Sequence, residues 1–243
     1  MSNQNWIPYT GSIDVGIDPT PGDDPGQEKK CYCVTVETER LQARTIQSAQ
    51  DIKHYIALFS SAQNMATYGA GLPLESNLIH KLVKTWEDRW EQGNPYSGVA
   101  IYTRNVSGVE GGQQFVGHGD FKSGANNMAF GKEEEVGSAE FTGVIDKEFW
   151  HKGFGKEAAA ALVNGLAPRY QKEGFKVVTA FKDGTQKRLP LERLLATIST
   201  TNENAIKIVT GLGFEYQGSV EKTFMKGTMG KYYYAKDIPL SNS

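Results

Sequence analysis

The chain has only two cysteines and four histidines in 243 residues. Cys31 and Cys33 are one residue apart, a poor spacing for a disulfide, and the histidines are scattered with no spacing a metal site would use. Two reduced thiols on one strand face, no metal and a reducing cytoplasm are the reading that fits. Charge of one sign is also scarce. The 26 Lys and Arg against 28 Asp and Glu leave a formal net charge of -2, which offers no basic field to nucleic acid or to a membrane surface. No apolar run approaches the roughly 18–20 residues of a membrane span. The opening MSNQNWIPYT lacks a basic region followed by an apolar core, so a secretory signal is not expected. These absences predict a soluble cytoplasmic protein, long enough at 243 residues for one sizeable domain or two small ones.

What is present divides into a short arm and a patterned remainder. Residues 1–30 contain GIDPTPGDDPGQEKK, a cluster of Pro, Gly and Asp that predicts no regular element, only a partly ordered arm. From residue 31, CYCVTVETERLQARTI alternates apolar and polar residues and reads as a strand. A helix is expected from Ser48, whose hydroxyl would cap it. A second runs through ESNLIHKLVKTWEDRWEQG, with Leu78, Ile79, Leu82, Val83, Trp86 and Trp90 on the helical period and Gly93 at its end. Trp86 and Trp90, one turn apart, read as core. YSGVAIYTRN and QQFVGHGDFKS are strands joined across the glycine-bearing VSGVEGG, NNMAFGKEEE is a loop, and VGSAEFTGVI is a central strand. A helix over residues 156–166 follows, then strand FKVVTAF, turn KDGTQKRLP, strand LERLLATIST and a short helix in ENAIKIVTGLG closed by Gly213. FEYQGSVEKTFMKG and MGKYYYAKDIPL read as a closing hairpin. With no internal repeat and no linker, residues 31–243 are read as one α+β domain behind the arm.

The stretch EFWHKGFGKEAAAALVNGL, residues 148–166, carries the first chemical signal. Gly153 and Gly155 lie where a strand pattern gives way to a helical one. The first turn of a helix has backbone N–H groups without internal partners and a partial positive charge, and glycines let an anion approach that backbone without a Cβ in the way. His151, Lys152 and Lys156 would add charge around it, and Ala158 to Ala161 would make a slim helix that packs closely on a sheet. The motif G-x-x-x-x-G-K-S/T is missing, and in G-x-G-x-x-G the third glycine is replaced by Ala158 with no acidic residue at the distance a dinucleotide site uses. On spacing alone, a plain strand-to-helix turn explains these residues equally well.

Three blocks, in order, resemble the GNAT superfamily of acetyl-CoA-dependent N-acetyltransferases, and within it the ribosomal-protein N-terminal acetyltransferases. VETERLQAR (36–44) is similar to that branch's T-E-R-L-x-L-R. AEFTGVIDKEFWHKGFGKEAAAAL (139–162) is similar to its pyrophosphate block, E-x-G-Y-x-I/V/L-D-P-x-F/Y-W-G-K-G-Y/F-A/G-T-E-A. NENAIKIVTGLGF (202–214) is similar to N-x-x-S-x-x-V/L-x-x-x-L-G-F. The resemblance spans roughly residues 36–235 and implies a mixed, mostly antiparallel, splayed central sheet flanked by helices. It implies acetyl-CoA as co-substrate, with the amides of His151, Lys152, Gly153, Phe154, Gly155 and Lys156 on the pyrophosphate. It further implies that Val144 and Ile145 pair with the pantetheine arm as a strand would, near Asn202.

Glu140 falls on the branch's strand glutamate, four residues before Val144 and on the same strand face. The resemblance makes it the base that frees an ammonium of its proton, while a backbone N–H near Val144 and Ile145 would face the thioester oxygen. The competing reading of Glu140 is a carboxylate facing water or tied in a salt bridge. Two departures leave the acid for the leaving thiolate unassigned: Val209 stands where many relatives have Tyr, and Ala205 where this branch has Ser. Tyr232, Tyr233 and Tyr234 read as strand packing, with Tyr233 opposite its neighbours. His118 lines the cleft or fills the strand core. Asp120, Glu140 and the KEEE cluster (132–135) would attract a cationic amine if they overhang the cleft.

The expected activity is direct transfer of an acetyl group to a small amine or a peptide N-terminus. The alternatives are an acyl-CoA-binding sensor that has lost catalysis, favoured by Val209 and Ala205, and a nucleotide-phosphate binder. The arm and the long FKDGTQKRLP link would cover the cleft or make a homodimer contact.

Overall fold

The computed structural model describes residues 13–21, 28–104, 112–124, 136–181, 183–224 and 227–239. Among these residues eleven strands are β1 (Ile13–Pro21), β2 (Glu28–Glu37), β3 (Leu41–Thr45), β4 (Gly98–Thr103), β5 (Phe115–Ser123), β6 (Ser138–Ile145), β7 (Lys176–Ala180), β8 (Gln186–Pro190), β9 (Arg193–Ser199), β10 (Glu215–Phe224) and β11 (Gly227–Asp237). Nine of them form one sheet in the order β1-β2-β3-β4-β5-β6-β9-β11-β10. Its neighbours run antiparallel except β6 and β9, which are parallel. The sheet is therefore mixed and mostly antiparallel, as the resemblance implies.

Helices cover both faces. On one side lie α1 (Ser48–Ser60), α2 (Ala62–Met65) and α3 (Ser76–Glu91). They bury Tyr55, Leu58, Phe59, Ile79, Val83 and Trp86 against Ala100, Tyr102 and Val144. On the other side α4 (Phe154–Ala160) continues through a π-helical turn (Ala161–Leu166) into α5 (Ala167–Lys172), with α6 (Glu203–Gly211) alongside. Ala158 to Ala161 are buried there against the sheet, which lets α4 approach closely. Residues on β4 and β5 are buried on both faces, as strands between two helical layers must be. Among the described residues no helix is long and apolar enough to cross a membrane.

The structure departs from the sequence reading at six places. CYCVTVETERLQARTI is not one strand but two, β2 and β3, which turn back on each other at residues 38–40 and pair antiparallel. Ile13–Pro21 is a strand, paired with β2 from Ile13↔Val36 to Pro21↔Glu28, where the composition predicted nothing regular. It lies at the sheet edge, the one position where Pro19 and Pro21 break no ladder on the open side. QKRLP is not a turn but the strand β8, which pairs with β7 in a separate two-stranded sheet. Its residues are mostly exposed, so no apolar alternation marked it. The helix beginning at Phe154 runs past Leu166 to Lys172, and Pro168 is accommodated just after the π turn, where a missing N–H is tolerated. Leu78 lies on the exposed side of α3. Ser48 does not cap α1: its N–H and hydroxyl donate to Glu87 of α3 at 2.8 and 2.6 Å, and Asp51 takes the Gln47 N–H at 2.8 Å.

Arg44 and Asp51 tie the first motif to the core. Asp51 is fully buried and accepts Arg44 Nη1 and Nη2 at 2.9 and 2.7 Å together with the Tyr102 hydroxyl at 2.5 Å. A buried pair like this contributes little net stability while whole, but loss of one partner strands a charge. Arg44→Met is expected to lower the unfolding free energy in urea by about 3–5 kcal/mol, and Arg44→Met/Asp51→Leu to recover much of that loss.

Candidate active site

The site begins where β6 leaves β9. The parallel pairing is Ser138↔Arg193, Ala139↔Leu194 and Glu140↔Leu195, and among the described residues it stops there. Residues 141–145 remain paired to β5, from Gly117↔Ile145 to Phe121↔Phe141, but their other edge opens into a wedge. Backbone N–H and C=O groups along that edge have no strand partner, and a buried polar backbone demands one. An extended ligand entering the wedge satisfies it as an added strand would.

At the mouth of the wedge the chain turns sharply from β6 into α4. Trp150 donates its indole N–H to the Ile145 carbonyl at 2.7 Å, closing the strand end. His151 then takes a positive φ of 61°, a conformation that costs a non-glycine residue about 1–2 kcal/mol. Gly153 has φ 81° and forms the N-cap of α4. Two left-handed residues in quick succession turn successive amides toward one concavity, the arrangement that binds anions. Gly155 is different. A Cβ there would meet Ile145 Cγ1 and Ile208 Cδ1 at 3.5 Å, ordinary contact, so the protein's own packing does not require a glycine at this position. Its bare backbone lies between β6 and α6, at the opening of the wedge.

On the opposite face the sheet presents a polar ladder. Cross-strand pairs His118↔Val144, Asp120↔Thr142 and Lys122↔Glu140 place these side chains in register on one face. Glu140, 24% exposed, is met by Lys122 Nζ at 3.3 Å, so the salt-bridge reading describes its present contact. Asp120 is buried and its Oδ1 has no partner. Burial lifts its carboxyl to about 6, against the pull of Lys122 and Arg89 and with a push from Glu140. His118 is buried on the Trp86 ring at 4.3 Å, with Nδ1 3.1 Å from the Tyr55 hydroxyl. Burial lowers it to about 3, so the imidazole is neutral at pH 7.

A segment between α2 and α3 closes this face over the wedge. Thr67 accepts Asn202 Nδ2 at 2.9 Å, the Gly69 carbonyl accepts Lys231 Nζ at 3.1 Å, and the Tyr68 hydroxyl lies beside Thr142. Asn202 is also the N-cap of α6, its Oδ1 taking the Ala205 N–H at 3.1 Å. Each end of its amide therefore has one partner, which leaves one N–H and one oxygen lone pair to offer. Lys231 is a buried ammonium beside Glu140. Burial and Lys222 lower its pKa, and Glu140 raises it.

The structure thus brings Glu140, Val144, Ile145 and residues 151–156 around one wedge, with Asn202 at its roof. Val209 and Ala205 lie in or against the core and offer no proton. Tyr232 and Tyr234 pack with the α4 side, and Tyr233 takes the other face. The KEEE cluster lies outside the described residues, as does most of VSGVEGG. Among the described residues no group of three or more His, Cys, Asp and Glu is placed to hold a metal. Sequence reasoning missed Arg40, Glu157, Lys231 and the roof segment. A separate hollow of about 570 Å³ lies between Val163, Asn164, Lys236 and Ile238. There Lys236 donates to Asn164 Oδ1 and to the Leu212 carbonyl at 2.7 and 2.6 Å, which closes the end of α6.

A mixed sheet split between two parallel strands, with an amide-lined loop leading into the helix beside the split, is the architecture of an acetyltransferase domain. The chain belongs to the GNAT acetyltransferase family, whose domain model matches residues 40–215. Solved structures with the same fold include the acetyl transferase from Salmonella typhimurium that modifies the N-terminal serine of ribosomal protein L7/L12. It has a TM-score of 0.59 at 13% identity, over 84% of this chain and 99% of that one. A GNAT-family acetyltransferase from Bacillus anthracis gives 0.57 at 18% identity, over 84% and 98%. The microcin C7 self-immunity acetyltransferase MccE, solved with acetyl-CoA and AMP, gives 0.56 at 11% identity, over 83% and 94%. No protein of curated function matches the chain.

Asp120 yields a test of the ladder's burial. Its folded-state pKa of about 6 lies above the ordinary 3.8, so the native state holds the proton more tightly than the unfolded chain. Stability is then expected to fall as pH rises from about 4 to about 6 and to level off above that. Asp120→Asn is expected to remove this fall and to be more stable than wild type at pH 7, by on the order of 2 kcal/mol in urea titrations. A wild-type stability that is flat across this range contradicts the buried carboxylate.

Proposed function

We propose that the protein moves the acetyl group of acetyl-CoA to a primary amine, on a small molecule or at a peptide N-terminus, by direct attack. The observation that carries this reading is the open edge of β6 beyond Glu140, next to the turn that ends in Gly153. The pyrophosphate of the donor would lie on the amides of residues 151–156, and the pantetheine arm along Val144 and Ile145. The thioester carbonyl would then lie over the β6 edge, where a backbone N–H can meet the oxyanion as it develops. Glu140 is the base: it takes the proton of the acceptor ammonium, directly or through a water, once the acceptor displaces Lys122. The amine lone pair bonds the carbonyl carbon, the C–S bond breaks, and the thiolate takes up the proton released by the amine. The N-acetylated amine, an N-substituted acetamide, and CoA thiol result.

The sensor reading has its own support in Val209 and Ala205, hydrocarbon side chains at both positions where relatives carry a hydroxyl. Acetyl-CoA turnover over a panel of small amines and short peptides, followed by thiol release, separates the two. The proposal expects acetylation of at least one amine class. It expects Glu140→Gln to lower kcat by about 10²–10⁴ with the acetyl-CoA dissociation constant little changed. Tight acetyl-CoA binding without turnover of any amine supports the sensor. An unchanged kcat in Glu140→Gln removes the base assignment.

A further inference from the structure

Arg40, from the first sequence block, reaches the cofactor loop across more than a hundred residues of chain. Residues 38–41 form a tight turn between β2 and β3: the Thr38 N–H donates to the Leu41 carbonyl at 2.8 Å, and the Leu41 N–H to Thr38 Oγ1 at 2.9 Å. The turn delivers Arg40 to the first turn of α4. There its main-chain N–H donates to Glu157 Oε1 at 3.0 Å and its Nε to Oε2 at 2.7 Å, with Nη2 2.6 Å from Oε2. The Thr38 hydroxyl donates to the same carboxylate. Arg40 Nη1 donates to the Lys152 carbonyl at 3.0 Å, and the guanidinium carbon stands 4.6 Å from the centre of the Phe154 ring. A Cβ on Gly153 would come within 3.2 Å of Nη2, so the fork is seated directly on the loop.

Two physical consequences follow from this geometry. A trans peptide points its C=O and N–H in opposite directions. A guanidinium holding the Lys152 carbonyl outward therefore turns the Gly153 N–H to the other side, toward the concavity. Second, Glu157 puts a negative charge in the helix turn that faces an incoming pyrophosphate. In the free protein that charge suits the helix dipole, but it repels a phosphate a few ångströms away. Burial would raise the Glu157 carboxyl, yet the hydrogen bonds from Thr38 and Arg40 prevail and hold it below its ordinary value, as a carboxylate. The guanidinium is the cation paired with it.

We propose that Arg40 is a positioning residue for donor binding: it fixes the orientation of the Lys152–Gly153 peptide and neutralises Glu157, and so makes the loop receptive to the pyrophosphate of the donor. The proposal rests on the acetyl-CoA reading above. Arg40 is 45% exposed, so its removal leaves no cavity in the core.

The test compares two donors, acetyl-CoA and S-acetylpantetheine, which keeps the thioester and lacks the pyrophosphate. Arg40→Ala is expected to raise KM and Kd for acetyl-CoA about tenfold with kcat nearly kept, and to alter kcat/KM for S-acetylpantetheine by less than twofold. Arg40→Ala/Glu157→Gln is expected to recover most of the acetyl-CoA affinity, because the unpaired charge is gone. Arg40→Lys, which keeps the charge but loses the fork, is expected to fall between wild type and Arg40→Ala, and it carries the test should Arg40→Ala misfold. Equal losses on both donors, or no recovery in the double variant, overturn the proposal and leave Arg40 a structural residue. If wild type itself binds no acetyl-CoA, the donor reading falls first. If wild type binds it and Arg40→Ala binds it equally well, only the role of Arg40 falls.

Discussion

The site depends on a failure of pairing. Glu140↔Leu195 is the last parallel pair between β6 and β9, and beyond it β6 has a partner on one edge only. In a central strand this leaves hydrogen-bonding groups between two helical layers with no strand to meet them, a cost the fold accepts only where something else can enter. The split also fixes the positions of its neighbours. Gly155 lies between Ile145 and Ile208, so α4 begins at the opening. Asn202 caps α6 on the far side, and the segment between α2 and α3 roofs the gap by hydrogen bonds to Asn202 and Lys231. A fully paired β6–β9 ladder would leave no wedge and no reason for the glycine loop to lie where it does.

Charge is distributed around the wedge so that its two ends differ. The loop end offers amides and a helix dipole suited to an anion, and a glutamate whose charge is paired with a guanidinium. The ladder on the α1–α3 side offers Glu140 and Asp120, with Lys122 and Lys231 close by. On the proposed reading, a donor carrying phosphates and an acceptor carrying an ammonium are drawn to opposite faces of the split. Belonging to the GNAT family fixes the fold and the class of reaction. On the proposed reading, the acceptor is chosen by the roof segment and the ladder.

How much of this was legible in the sequence depended on the reach of each interaction. Elements with a clear period, such as α3 and β4 to β6, were read correctly. The glycine loop was located because Gly153 and Gly155 follow a strand and precede a helix, and the family blocks then placed Glu140, Val144 and Ile145. His151 in a left-handed conformation has no sequence signal of its own. β8 was lost because its residues are mostly exposed and show no alternation. The contacts of Arg40 with Glu157, Asn202 with Thr67, and Lys231 with Gly69 join residues 117, 135 and 162 positions apart. No local pattern encodes such separations. Arg40 stands within the T-E-R block, but only the fold reveals what it holds.

Backbone amide hydrogen exchange with and without acetyl-CoA tests the central claim most directly, because the groups said to bind the donor are main-chain groups. On binding, exchange is predicted to slow in residues 141–145 and 151–156 and to stay unchanged in β1 and β10. Protection that leaves both segments untouched, or that gathers instead around Asn164 and Lys236, would contradict the account.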